Sequence, residues 1–211
     1  LAQQGIRFLR RTSWNELQRD WIKAYFFHEL MPMLTPIGLD PSNPFPRVLN
    51  KSLNFIVELE GKDAFGRNSG IAIVQAPRIL PRIIRLPSDV STEEYSFIFL
   101  SSILHAHVGE LFSGMQAIGC FQFRATRNSD LFVDEEEIKN LRIALQGELP
   151  QRHLGDAVRL EVADSCPQHM IAFLLDQLGP TQDDPYQVSG PVNPVRLTRV
   201  PHQLDRPQLK S

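Results

Sequence analysis

Cysteine is scarce in this sequence. It occurs twice, at Cys120 and Cys166, with no CxxC pair and no secretory framework, which argues against a disulfide scaffold or zinc ribbon and suits reduced thiols in a cytosolic compartment. Long apolar runs are missing too. No stretch of about 18 apolar residues exists, and the opening Leu-Ala-Gln-Gln-Gly has neither a basic nor an apolar leader region, so no membrane-spanning or export segment is expected. A Walker loop, a GxGxxG turn, an HExxH helix and a GxSxG elbow are all absent, which removes the common nucleotide, zinc-protease and hydrolase signatures. Excess charge of one sign is lacking as well. With 22 basic against 24 acidic residues and a net charge of −2, no global field favours nucleic acid, an anionic membrane or a polyanion, so any polyanion site has to be local. Position 1 is not Met, and the expectation is a processed or excised segment.

What is present is enough for one folded domain. A chain of 211 residues with 42% hydrophobic content buries a sizeable core. A helix is expected over residues 13–30, with Ser13 and Glu16 at capping-box spacing and Trp14, Leu17, Trp21, Tyr25 and Phe26 as its apolar face; Pro32 ends it. Proline then dominates residues 31–50, fixing φ repeatedly and removing donors, so the segment runs extended and irregular. Leu34, Ile37, Leu39 and Phe45 give it apolar anchors for packing against the domain, with disorder as the alternative.

Alternation of Leu53, Phe55, Val57 and Leu59 predicts a strand over 52–60 with one buried face. A hairpin loop over 61–69 leads to a strand over 70–75. Further strands are expected at 82–86, 95–100, 117–126, where Phe121 and Phe123 share a face, 158–162 and 186–188. A helix capped by Ser101 or Ser102 reaches to 111. Asp134 and Glu137 open a helix closed by Pro150, and Pro167 starts another, with Met170, Ile171, Leu174, Leu175 and Leu178 inward and Gly179 past its end. A last helical turn is expected from Asn193. Strands and helices without a strict βαβ rhythm predict a single α+β domain: a mixed or mostly antiparallel sheet with several packed helices. Its parts are an N-terminal helix region (1–30), the proline-rich extended segment (31–50), the sheet and helices (51–190) and a tail (191–211).

Few residues propose chemistry. Of the six histidines only His105 and His107 are close, and two residues apart on a helix they point about 200° from each other, so they do not form a metal pair. The acidic run Asp134–Glu137 sits at a predicted helix N-terminus, where carboxylates complement the dipole. Arg78, Arg82 and Arg85 lie between Pro77 and Pro87 with no acidic residue among them. Guanidinium forks at that density suit a polyanion, although arginines near a sheet edge also serve to protect it or to pair with carboxylates. Arg124 and Arg127 are read as ion-pairing within the fold.

Several stretches together resemble the polyphosphate kinases. Met31-Pro-Met-Leu-Thr-Pro-Ile-Gly-Leu-Asp-Pro41, Asn43-Pro-Phe-Pro-Arg-Val-Leu-Asn50 and Phe123-Arg-Ala-Thr-Arg-Asn-Ser-Asp130 resemble that family's proline-rich block and its strand-turn signature. Tyr25-Phe26, Gln75-Ala-Pro77, Leu111-Phe112, Val158-Arg-Leu-Glu-Val162 and Val188-Ser-Gly-Pro191 add matches in order. The resemblance runs from about Gly5 to Lys210, with one departure: Asn43 stands where a histidine is expected.

The resemblance implies a parent enzyme that moves the terminal phosphate of ATP reversibly onto inorganic polyphosphate, with ATP and magnesium as its requirements. This stretch resembles the middle, or head, domain. The phosphorylated histidine and the main ATP and metal contacts belong to a C-terminal half whose motifs are not matched here. The expectation is therefore no catalytic residue, metal ligand or cofactor in this segment, and a structural, dimerising role. The implied partners are its own N- and C-terminal domains and a second copy, with a cytoplasmic location that in some members is at the membrane. The alternative is a polyphosphate- or ATP-binding module contributing Arg78, Arg82 and Arg85 to the parent's site; a third reading, an independent protein, stays open.

Overall fold

The structure is a computed structural model that describes residues 5–39, 45–62, 70–91, 93–127, 157–179 and 185–192. Nine strands and three α-helices follow in chain order among these residues. They are β1 (Ile6–Phe8), α1 (Glu16–Tyr25), β2 (Thr35–Gly38), β3 (Leu53–Gly61), β4 (Ile71–Ala76), β5 (Ile83–Arg85), β6 (Tyr95–Phe99), α2 (Leu100–His107), β7 (Met115–Arg127), β8 (Ala157–Ala163), α3 (Gln168–Leu178) and β9 (Tyr186–Val188). The expected helix over 134–149, most of the 61–69 loop and the turn from Asn193 lie outside the described residues.

The α+β class holds, but the strands divide into two sheets. Six of them run in the order β2-β4-β3-β7-β8-β9, antiparallel except for β8 with β9. The other three run β1-β6-β5, with β1 parallel to β6 and β5 antiparallel to it. Two of these strands, β1 and β2, were not expected. β2 carries Pro36 at the sheet edge, a place a strand proline tolerates because one side of an edge strand needs no donor.

Strand β3 corrects the expectation of one buried face. Leu53, Phe55, Val57 and Leu59 enter one cluster with α1 and α2, while Ile56 enters a second with Phe123, Leu160, Met170 and Leu174. Both faces of the six-stranded sheet are thus covered near its centre: α1, α2 and the small sheet lie on one side and α3 on the other. Phe121 and Phe123 both join the α3 side, as their spacing requires. The far face of the small sheet closes a third cluster of Ile6, Ile83, Tyr95 and Phe97. Leu34 packs into the first cluster and Leu39 and Phe45 against the second, so the described proline-rich residues pack.

Helix α1 starts later than its first signal. The Ser13 hydroxyl turns back to the Arg10 carbonyl at 2.8 Å, and Asn15 is the cap: its Oδ1 accepts from the Gln18 amide at 2.9 Å while Gln18 Oε1 accepts from the Asn15 amide at 3.2 Å. That is a capping box two residues downstream of the expected one. The inward face is Trp14, Gln18, Ile22, Phe26 and Leu30; of the expected stripe Trp14 and Phe26 are inward, Trp21 and Tyr25 half-buried against the core, and Leu17 exposed. Spacing by four drifts around an α-helix; the π-turn over Phe26–Leu30 winds less per residue and keeps Leu30 inward. At α2, neither Ser101 nor Ser102 caps. The helix springs directly from β6 with extended Phe99 at its N-cap, and Ser101 is buried inside it.

Candidate functional site

The three arginines of the proline-bounded ribbon point to three different neighbours. Arg78 donates from Nη2 to the Asn50 carbonyl at 2.6 Å, and Arg82 from Nη2 to the Ala76 carbonyl at 3.3 Å. Both are half-buried. Arg85, on β5, is exposed and lays its guanidinium 4.5 Å from the centre of the Tyr95 ring. Two of the three therefore bind the ribbon to its surroundings.

Asn50 joins the two signature stretches. Its carbonyl takes Arg78, and its Oδ1 accepts the Arg127 amide at 2.9 Å. The Arg127 Nε donates to the Val48 carbonyl at 3.3 Å, and the Lys51 amide to the Ala125 carbonyl at 2.9 Å. The 45–52 loop is thus tied to the end of β7 by main-chain and arginine donors. Arg124 pairs with Glu161 at 3.1 Å, and the other Glu161 oxygen takes Arg159 at 3.1 Å. Arg159 in turn stacks 3.7 Å over Tyr186. The ion-pair expectation is met at Arg124; the Arg127 Nε donates to a carbonyl.

The neighbouring histidines face apart. His105 meets Phe55 edge-on at 5.8 Å, whereas His107 stacks on Phe26 at 5.3 Å. Burial, with a smaller contribution from the Arg11 charge, pushes His105 down to about 4. Burial also lowers His107, partly opposed by Glu110. The free thiols move the other way: burial pushes Cys120 up to about 12 and Cys166 up to about 11. At neutral pH these thiols are protonated and the two imidazoles neutral, so neither cysteine is poised as a nucleophile. Among the described residues no group of three or more His, Cys, Asp or Glu is placed to hold a metal ion.

A cleft of about 550 Å³ opens between α2 and one end of β7. Its origin is a mismatch in pairing. β3 accompanies β7 from Met115 to Phe123, but β8 joins only from Phe123 to Arg127, so the outer edge of residues 115–122 has no strand beside it among the described residues. The β3–β7 ladder also slips: Glu58 faces Gly119 and Leu59 faces Ala117, leaving Ile118 as the extra residue of a bulge, 54% exposed. Gly119 is needed beside it, since a Cβ there would stand 2.8 Å from the Phe121 ring. Arg11, Ser102, His105 and Ser165 supply the polar side chains of the lining, and Cys120, Phe121, Ile118 and Val108 its apolar part. Arg11 is held by donating from Nη1 to the His105 carbonyl at 3.2 Å. The Arg11, Ser102 and Ser165 contributions were not legible in the sequence, because they come from separate segments that no spacing rule connects.

A second feature lies on α1. Leu17 is 56% exposed, beside Trp21 and Tyr25, which stack at 5.1 Å and are half-buried against the first cluster.

Comparison with known proteins follows the same lines. A family model described as polyphosphate kinase middle domain matches residues 17–200. A polyphosphate kinase of Neisseria meningitidis serogroup C is 63% identical over 210 residues, covering 100% of this chain and 31% of that protein. One of Paraburkholderia phytofirmans is 59% identical with the same coverage. The chain therefore spans less than a third of the length of these relatives. The crystal structure of polyphosphate kinase from Porphyromonas gingivalis superposes with a TM-score of 0.73 at 19% identity, over 99% of this chain and 29% of that one, which is a likeness of fold.

Proposed function

The chain belongs to the polyphosphate kinase middle-domain family, and from that premise we propose that it is the structural and dimerising domain of a longer ATP–polyphosphate phosphotransferase. In that reading ATP, magnesium and the phosphorylated group belong to the remainder of the parent enzyme, which works in the cytoplasm; no described helix is long and apolar enough to cross a membrane. The observation that carries the pairing role is the exposed Leu17 beside the half-buried Trp21–Tyr25 stack on α1. An isolated exposed leucine means little, but a leucine one helical turn from a stacked aromatic pair is the kind of anchor that interfaces use. Light scattering on the chain at rising concentration is expected to show a dimer that Leu17→Glu with Trp21→Ala converts to monomer. A wild-type monomer at every concentration rejects the pairing role for this segment.

A second reading, polyanion binding through Arg78, Arg82 and Arg85, is supported mainly by Arg85, the exposed member. Arg78 and Arg82 each already spend an Nη2 donor, on the carbonyls of Asn50 and Ala76. Titration with long-chain polyphosphate distinguishes the readings: the Arg→Ala triple variant loses salt-sensitive binding if this ribbon is the contact.

A further inference from the structure

We infer that the cleft beside β7 is a site for a phosphate-class oxyanion, held by Arg11 with the hydroxyls of Ser102 and Ser165. The inference goes beyond the scaffold reading and uses none of the ribbon arginines. Its first ground is the donor inventory. Among the described residues the polar side chains of the lining are one guanidinium, two hydroxyls and one imidazole, with no acidic side chain. Guanidinium forks match tetrahedral oxyanions.

The second ground is the wall. Residues 117–121 of β7 line this space, and their outer edge has no partner strand among the described residues. The bulge at Ile118 and the bare Cα of Gly119 keep that wall open.

The third ground is placement of the charge. Arg11 spends one Nη1 donor on the His105 carbonyl, which fixes the head at the mouth and leaves other N–H groups of its fork for a ligand. Its charge adds to burial in holding His105 neutral and partly opposes the upward push of burial on Cys120. Glu58 Oε2 would lie 3.3 Å from a Cβ at Gly119, and its other oxygen is 3.4 Å from His169 Nε2. At about 550 Å³ the space is in the range of small-molecule sites and exceeds what a single orthophosphate fills.

The test is a titration of the chain with orthophosphate and, separately, tripolyphosphate, followed by calorimetry and by the imidazole NMR signals of His105. Binding that shifts the His105 signals and weakens at least tenfold in Arg11→Ala supports the site. A preference for tripolyphosphate assigns it to a phosphate chain, and equal binding to a single phosphate group. Should Arg11→Ala lose the wild-type circular dichroism, the Ser102→Ala, Ser165→Ala double variant carries the test, with weakened binding expected. The inference is overturned by no binding, by binding that leaves the His105 signals unmoved, or by binding abolished in the Arg78, Arg82, Arg85 triple variant and unchanged in the variants at the cleft.

Discussion

Protonating His105 means placing a cation in a largely buried site and near the Arg11 guanidinium. The folded protein resists this down to about pH 4, whereas an unfolded chain takes the proton near 6.5. Between those values the unfolded state binds more protons, so stability is fully present above about pH 6.5 and drains away as the pH falls toward 4. The upper bound is about 3 kcal/mol from this group, and His107, also lowered by burial, acts in the same direction. Urea titrations at intervals from pH 7 to 4 are expected to show that slope, and His105→Phe to flatten it; an unchanged slope in the variant means the acid sensitivity arises elsewhere. The sequence placed His105 and His107 on one helix and on different faces, which the Phe55 and Phe26 contacts bear out. It gave no access to their burial, because that depends on β3 and α1 arriving from distant parts of the chain.

Among the elements, the bulge of β7 makes the sharpest demand on one residue. Gly119→Ala sets a methyl 2.8 Å from a Phe121 ring carbon and 3.3 Å from Glu58 Oε2, so the ring or the strand has to move. The expected cost is about 1–3 kcal/mol, typical of overpacking, measured by the urea midpoint; a loss below about 0.5 kcal/mol means that the bulge relaxes freely. Helix α1 shows what local patterns can and cannot decide. Ser13 with Glu16 and Asn15 with Gln18 both satisfy capping-box spacing, and the choice falls to Asn15 because Ser13 is engaged with the Arg10 carbonyl. Of the expected face Trp14, Leu17, Trp21, Tyr25 and Phe26, the two ends are buried and Trp21 and Tyr25 are half-buried, yet Leu17 is left exposed while Gln18 goes in, its amide 3.5 Å from the Val90 carbonyl. Periodicity finds a helix; which face turns inward is set by the tertiary partners. Strand existence was largely legible by the same logic, and the α3 contacts of Met170, Ile171, Leu174 and Leu178 follow their spacing.

For the molecule as a whole, the division into two sheets escaped sequence reading because β1 and β2 are short and pair with strands far along the chain. Family membership was legible in the Leu34-Thr-Pro36 and Phe123-to-Arg127 blocks, and the structure gives a reason for the second: it supplies the donors that fasten the 45–52 loop. The cleft was illegible for the opposite reason, being assembled from Arg11, α2, β7 and the turn before α3. Strand β1 lies ahead of the residues matched by the family model, yet Ile6 is 1% exposed in the cluster with Ile83, Tyr95 and Phe97. Ile6→Ala is expected to lower stability by about 2–4 kcal/mol, read from denaturant unfolding; a change under about 0.5 kcal/mol would show that β1 is dispensable to the domain.

The parallel pairing of β1 with β6 also sets an order of events. Ile6 meets Tyr95, so about ninety residues have to leave the ribosome before the first strand of this segment finds its neighbour, and the loop it closes is far longer than that of the β3–β4 hairpin. Local pairs gain their contacts early and distant ones late. The expected order is therefore the β3–β4 hairpin before the β1–β6 pair, read by pulse-labelled hydrogen exchange during refolding; simultaneous protection of both would contradict it.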